Sequence, residues 1–279
     1  MFQNDLLKGK RALITGGGTG LGKSIGKRYA QLGASLVICG RRAQALEAAA
    51  REFEEQLQAR VETHVCDVRD AAAVESMMSR IWENGPLDIL VNNAAGNFLA
   101  RTERLSPRAV DAVVDIVLKG AAYCTIAAGR RWIDAGRRGA VLSILTQSSF
   151  TGAPFTVPSA MAKAGVLAMT RSLAVEWGPK GIRLVGVAPG PFPTEGAWSR
   201  LMPKERHQAQ SIEQGIALRR VGRHEELADL CAFLVSDSAA FITGEMVVID
   251  GGKWLQGAAG ASASVMQAWS DETWASVRR

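Results

Sequence analysis

Thr15-Gly16-Gly17-Gly18-Thr19-Gly20-Leu21-Gly22 follows the apolar run Ala12-Leu13-Ile14 and precedes a helix-like stretch from Lys23 to Leu32. A strand, a glycine turn and a helix in that order imply a nucleotide-binding crossover. Glycines let the backbone turn tightly and approach a pyrophosphate, and the free amides and dipole at the helix start stabilise its negative charge. The next strand, Ser35-Leu36-Val37-Ile38-Cys39, ends in Gly40-Arg41-Arg42, where an acidic residue would accept from both ribose hydroxyls of NAD. Arginine at that point suits a 2′-phosphate, so Arg41 and Arg42 favour NADP(H) over NAD(H). The alternative is surface charge at a helix entrance.

Further along, Val61 to Val65 reads as a third strand ending in Cys66-Asp67-Val68, and Leu87 to Val91 as a fourth ending in Asn92-Asn93-Ala94-Ala95-Gly96. Alternating strands and helices over 279 residues favour one α/β domain, with no linker before residue 250. Cys39, Cys66, Cys124 and Cys231 are scattered without a C-x-x-C pair, which argues against a metal site and fits reduced thiols. Met1 to Lys10 is polar, and no run reaches the ~18 apolar residues a membrane helix needs. The expectation is a soluble, cytoplasmic protein. The net charge of +6 comes from dispersed pairs such as Arg130-Arg131 and Arg219-Arg220, without the aromatic interleaving of a nucleic-acid surface. Such a field still attracts a phosphate-rich small substrate.

The T-G-x-x-x-G-x-G turn, the Asn92–Gly96 segment, Lys163 and Pro189-Gly190 stand in the order found in the short-chain dehydrogenase/reductase family, which the chain resembles over roughly residues 8 to 252. The resemblance implies a single-domain Rossmann fold, a doubly wound parallel sheet flanked by helices on both faces. The domain would occupy residues 1–252, with a substrate lid at about 192–215 and an extension over 253–279. It also implies that Gly16, Thr19, Gly20, Leu21 and Gly22 cradle the cofactor and that Asp67 holds its adenine. Asn93, Ala94, Gly96, Pro189 and Gly190 would line it, and Lys163 would bind the nicotinamide ribose.

The family pairs this lysine with a tyrosine four residues earlier, but here the run is Pro158-Ser159-Ala160-Met161-Ala162-Lys163, and neither Tyr29 nor Tyr123 is nearby in sequence. A phenol beside an ammonium is a competent acid for ketone reduction, and a serine hydroxyl is far weaker. Asn92 to Phe98, then Thr102-Glu103-Arg104-Leu105-Ser106-Pro107, resemble the 2,4-dienoyl-CoA reductases, as do Val157-Pro158-Ser159-Ala160 and Pro189-Gly190-Pro191. Those enzymes also carry a small residue where Ser159 stands. Delivering hydride to a conjugated double bond leaves an extended thioester enolate, so such a site chiefly needs hydrogen-bond donors near the oxyanion.

Two positions depart from that branch. Its tyrosine fifteen residues before the lysine is Ser148 here, and its asparagine in the preceding helix is Lys119. Lys119 and Lys163 are therefore candidates to stabilise the enolate, with Ser159, Thr146 or a water relaying the proton. Equally, Lys119 faces solvent and Thr146 satisfies local backbone groups. Asn97, Phe98 and the lid residue Arg200 are the substrate-binding candidates, Arg200 by resemblance to an arginine that contacts CoA; an exposed lid arginine is the alternative.

His64, His207 and His224 stand singly, which gives a metal role no support. Beyond Gly252, the apolar positions Val265, Trp269 and Val277, with Trp274 near that face, permit a short docked helix, against a loosely ordered end. Apolar helices around Asp111–Ala128 and Ala160–Trp177 bury against each other as a homotetramer in the resembled family. The leading expectation is an NADPH-dependent reductase of 2,4-dienoyl-CoA, an acyl-CoA-type substrate from fatty-acid oxidation. Reduction of another carbonyl or conjugated compound, and a catalytically silent NADPH-binding protein, stay open.

Overall fold

The strand Arg11–Thr15 (β1) is buried at four consecutive positions, and its side chains alternate between two cores: Ala12 and Ile14 join one, Leu13 the other. The same division holds in Ser35–Gly40 (β2), where Leu36 and Ile38 face the first core and Val37 and Cys39 the second. Strands apolar on both faces need helices on both faces. The computed structural model describes residues 5–194, 196, 212–256, 266 and 269–277.

Five further strands, Val61–Val65 (β3), Ile89–Asn92 (β4), Gly139–Ile144 (β5), Ile182–Pro189 (β6) and Met246–Ile249 (β7), complete an all-parallel sheet ordered β3-β2-β1-β4-β5-β6-β7. Chain direction across the sheet reverses between β1 and β4, so a crevice opens at their carboxyl ends. Gly20–Gln31 (α1) and Ala43–Leu57 (α2) bury Ile25, Tyr29 and Phe53 in the first core. Ala71–Glu83 (α3) buries Met77, Met78 and Ile81 in the second. Each such side chain contributes about 1.5–3 kcal/mol on burial.

Pro107–Val114 (α4) leads into a π-helical turn over Asp115–Lys119 and then Gly120–Asp134 (α5). Ser148–Thr151 (α6) is one turn, Val157–Trp177 (α7) spans 21 residues, and His224–Val235 (α8) packs on α1. The continuous helical run 107–134 is long and apolar enough to cross a membrane, contrary to the sequence expectation of no such segment; half of its most apolar stretch is buried inside the protein. Its Cys124, Ala128 and Trp132 fill the second core, which is the role of a core helix.

The glycine motif feeds directly into α1, which begins at Gly20 and not at Lys23, and α7 begins three residues before the expected Ala160. In the C-terminal extension, Trp254 stacks edge-on against Phe150 with ring centroids 5.5 Å apart. Asp271–Ser276 (α9) is a short helix capped by the Ser270 hydroxyl, with Trp269 and Trp274 rings 4.9 Å apart. Val265, Arg200, His207 and most of the expected lid lie outside the described residues.

Candidate active site

The crevice is closed at its base by one hydroxyl. Thr15, buried at the end of β1, donates to the Val91 carbonyl (3.2 Å) and accepts from the amides of Asn93 (3.0 Å) and Ala94 (2.9 Å). The Asn93 side-chain amide in turn donates to the carbonyls of Thr15 (2.9 Å) and Gly16 (3.3 Å). Asn93 thus braces the glycine turn with its side chain, and only the rest of Ala94–Gly96 is left to line a ligand. Gly16 and Gly20 have φ of +67° and +55°, and a Cβ on Gly22 would lie 2.4 Å from the Asn93 amide nitrogen. These positions exclude side chains for reasons of conformation and of space.

Thr19 caps α1 in an extended conformation without a side-chain hydrogen bond to the helix, and no acidic residue occupies the first turn. The first amides of α1 are therefore free to receive an anion. The whole cradle, from Gly16 to Gly22 with Leu21 half-buried behind it, fits a dinucleotide pyrophosphate. Arg41 and Arg42 are exposed just past β2, and the Arg42 guanidinium reaches the Thr19 hydroxyl (3.3 Å) across the turn. Asp67, at the end of β3, is gripped by Arg69 through Nε at 2.9 and 3.0 Å and through the backbone amide at 3.1 Å. That hydrogen bonding, with the nearby Arg41 charge, holds its carboxyl below the usual range. An adenine contact would have to share the carboxylate with Arg69.

Ser159 and Lys163 lie one helical turn apart on α7, each only 8% exposed. The Lys163 ammonium donates to the Ile144 carbonyl at the end of β5. Burial pulls its pKa down to about 8. Past the same strand end, the Ser148 hydroxyl donates to Thr146 (3.3 Å), and the Thr146 hydroxyl donates to the Gln147 side-chain oxygen (3.4 Å). Gln147 joins the hydroxyl chain unforeseen, because a lone glutamine after a strand carries no distinguishing spacing. Phe98 packs against the cluster of Val113, Val117 and Ala162. Asn97 spends its side-chain oxygen on the Phe98 amide (2.9 Å).

Lys119 differs from Lys163. Its side chain is 54% exposed, and its ammonium pairs with Asp115 at 2.8 Å within the π-helical turn. That carboxylate raises its pKa. Among the described residues the two lysines share no hydrogen-bond partner. Gly190, after β6, donates to the Ile249 carbonyl (2.9 Å), and a Cβ there would meet Asp250 at 2.4 Å. Pro189 is the last residue of β6.

Of the histidines, His64 and His224 are not isolated. His64 is hydrogen-bonded through Nε2 to Glu62 (2.6 Å), which also holds Arg11. Side chains two apart on a strand share a face, and the sequence reading overlooked that pairing. His224 bonds Ser24 and the Pro193 carbonyl, both at 2.7 Å. Among the described residues, no three His, Cys, Asp or Glu side chains gather as a metal site.

A sequence profile described as enoyl-(acyl carrier protein) reductase matches residues 16–253. A Caenorhabditis elegans protein described as an uncharacterized oxidoreductase is 43% identical over 271 residues, covering 96% of this chain and 87% of its own. A Bacillus subtilis protein described as a probable 2,4-dienoyl-CoA reductase, (2E)-enoyl-CoA-producing, is 42% identical over 248 residues, covering 88% of this chain and 97% of its own. The crystal structure of a short chain dehydrogenase from Bacillus anthracis superposes with a TM-score of 0.80 at 41% identity, over 88% of this chain and 97% of that one.

Proposed function

The chain belongs to the short-chain dehydrogenase/reductase family, and from that premise we propose that it is an NADPH-dependent reductase of 2,4-dienoyl-CoA thioesters. The observation that carries this reading is the pair Ser159 and Lys163, buried one turn apart with no phenol at the lysine's partner position. Relatives described as dienoyl-CoA reductases support it. Family membership itself means a nicotinamide cofactor and oxidoreductase chemistry. The choice of NADPH rests on Arg41 and Arg42 at the end of β2, where a carboxylate would select NADH.

When bound, the nicotinamide supplies a hydride to the δ-carbon of the dienoyl group. The resulting electron pair spreads through the dienolate onto the thioester oxygen, where charge must be stabilised. Lys163, with its buried ammonium, would hold the cofactor ribose and contribute positive field. The hydroxyls of Ser159, Thr146 and Ser148 are donors for the oxyanion and a path by which a proton reaches carbon. Protonation at the α-carbon would give the 3-enoyl product and at the γ-carbon the 2-enoyl product. Phe98, packed on the Val113, Val117 and Ala162 cluster, is the proposed apolar contact for the acyl chain.

We further assign the protein to the cytoplasm, to fatty-acid oxidation, and to a homotetramer. Exposed Ile126, Met161 and Val175 on α5 and α7, the last 81% exposed, support burial of those helices between subunits.

The test is oxidation of NADPH and of NADH with a short trans-2,trans-4-dienoyl-CoA, beside acetoacetyl-CoA and the Lys163→Ala variant. Turnover of the dienoyl ester with NADPH, lost by at least ~100-fold in the variant, is expected. Turnover of acetoacetyl-CoA instead would assign carbonyl reduction. Tight NADPH binding with neither activity would point to another substrate or a silent role.

A further inference from the structure

We propose that His224 is a latch that ties the segment leaving β6 to the first turn of α1, and so sets the affinity for the nicotinamide half of the cofactor. His224 is the first residue of α8 and is only partly exposed. Its Nε2 lies 2.7 Å from the Pro193 carbonyl, and its Nδ1 lies 2.7 Å from the Ser24 hydroxyl. A carbonyl only accepts, so Nε2 carries a hydrogen and donates to it. In the neutral ring Nδ1 then accepts from Ser24. In the protonated ring Nδ1 donates to the Ser24 oxygen, and the serine hydrogen turns to the Gly20 carbonyl, 3.2 Å away. The bridge closes in either state.

What the bridge holds explains why it matters. Pro189 to Thr194 runs from β6 over the cradle, and the Thr194 methyl lies 3.6 Å from where a Cβ on Gly20 would stand. Gly20 begins α1, at the amides that face the pyrophosphate. The segment has two other anchors nearby. Gly222 donates to the Pro191 carbonyl (3.0 Å), and Phe192 fills the space of the missing Gly222 side chain, whose Cβ would come within 2.3 Å of the ring. Both hold the segment to the chain before α8, but neither reaches α1. Among these anchors, His224 alone links the segment to the cofactor helix. Severing it leaves Phe192 buried and removes this tie between Pro193 and α1. His224 is a positioning residue in this scheme: it acts through Thr194 and α1.

The bond also separates the two halves of the cofactor. Arg41 and Arg42, at the far side of the turn, are the candidates for the 2′-phosphate and touch neither His224 nor Ser24. Loosening the latch should therefore weaken a ligand that extends past the pyrophosphate and spare one that stops at the adenosine end.

NADPH and adenosine 2′-monophosphate, which lacks the 5′-phosphate, are titrated separately into the full chain, without substrate, so the outcome does not depend on which acyl thioester is reduced. His224→Ala and His224→Phe are expected to raise the NADPH Kd by ~3- to 10-fold, about the worth of one hydrogen bond, with the 2′-monophosphate Kd unchanged. His224→Gln, whose amide nitrogen can still meet the Pro193 carbonyl, should recover part of the loss. Ser24→Ala should weaken NADPH alone, and the double variant should be no weaker than His224→Ala. An NADPH Kd unchanged in His224→Phe overturns the latch, as does equal loss of both ligands. Should His224→Ala melt below the assay temperature, the Phe, Gln and Ser24→Ala variants decide the matter by the same criteria.

Discussion

Lys163 carries a burial penalty that can be measured. The pKa of about 8 lies below the ordinary lysine value because desolvation disfavours its charge. Below pH 8 the ammonium is charged in both folded and unfolded chains, and the fold bears the full cost. As pH rises above 8, the folded chain gives up its proton before the unfolded chain does, and the cost fades. Lys163→Met should therefore be stabilised relative to the parent protein at pH 7, and most of that advantage, about 3 kcal/mol, should vanish by pH 10. Parallel urea melts of the two proteins at both pH values check this. The same titration should place an alkaline limb near pH 8 in kcat/KM, where charged Lys163 is lost from the free enzyme. Lys119 illustrates the opposite environment: exposed and held by Asp115, it stays charged throughout this range.

At the scale of elements, the join between β1 and β4 determines whether the crevice exists. Thr15 provides one acceptor to two buried-side amides and one donor to Val91, so a single hydroxyl sets the spacing of two strand ends. Thr15→Val keeps the shape and removes all three bonds. The amides of Asn93 and Ala94 would each lose a partner at about 1–3 kcal/mol. We expect a lower Tm and weakened NADPH binding together, whereas Thr15→Ser should retain both; calorimetry with and without NADPH distinguishes the two variants. The π-helical turn between α4 and α5 was not legible beforehand. The sequence there carries no proline or other signal of a π turn, and packing of Val117 in the cluster with Ala162 and of Gly120 against Val68 shows how the helix is seated.

For the molecule as a whole, Val175 at 81% and Phe241 fully exposed are large apolar side chains that one subunit leaves to water. Their exposure costs nothing if neighbours cover them. Light scattering is expected to give the mass of four chains, and Val175→Asp with Phe241→Asp to give a smaller species at the same concentration. A monomeric parent protein would remove the tetramer assignment.

The glycine turn and the strand ends were legible from sequence because each depends on local rules: which residues allow positive φ and where apolar runs stop. Those rules indicated an α/β alternation, while the doubly wound sheet and the Ser159–Lys163 pair were expected from the family resemblance. Contacts between residues distant in the chain follow no local rule. That Asn93 braces the glycine turn, that Arg69 occupies Asp67, that Lys119 turns to Asp115, and that His224 spans 200 positions to Ser24 were decided by the tertiary structure, because a side chain's partner is set by what the sheet and its helices bring beside it.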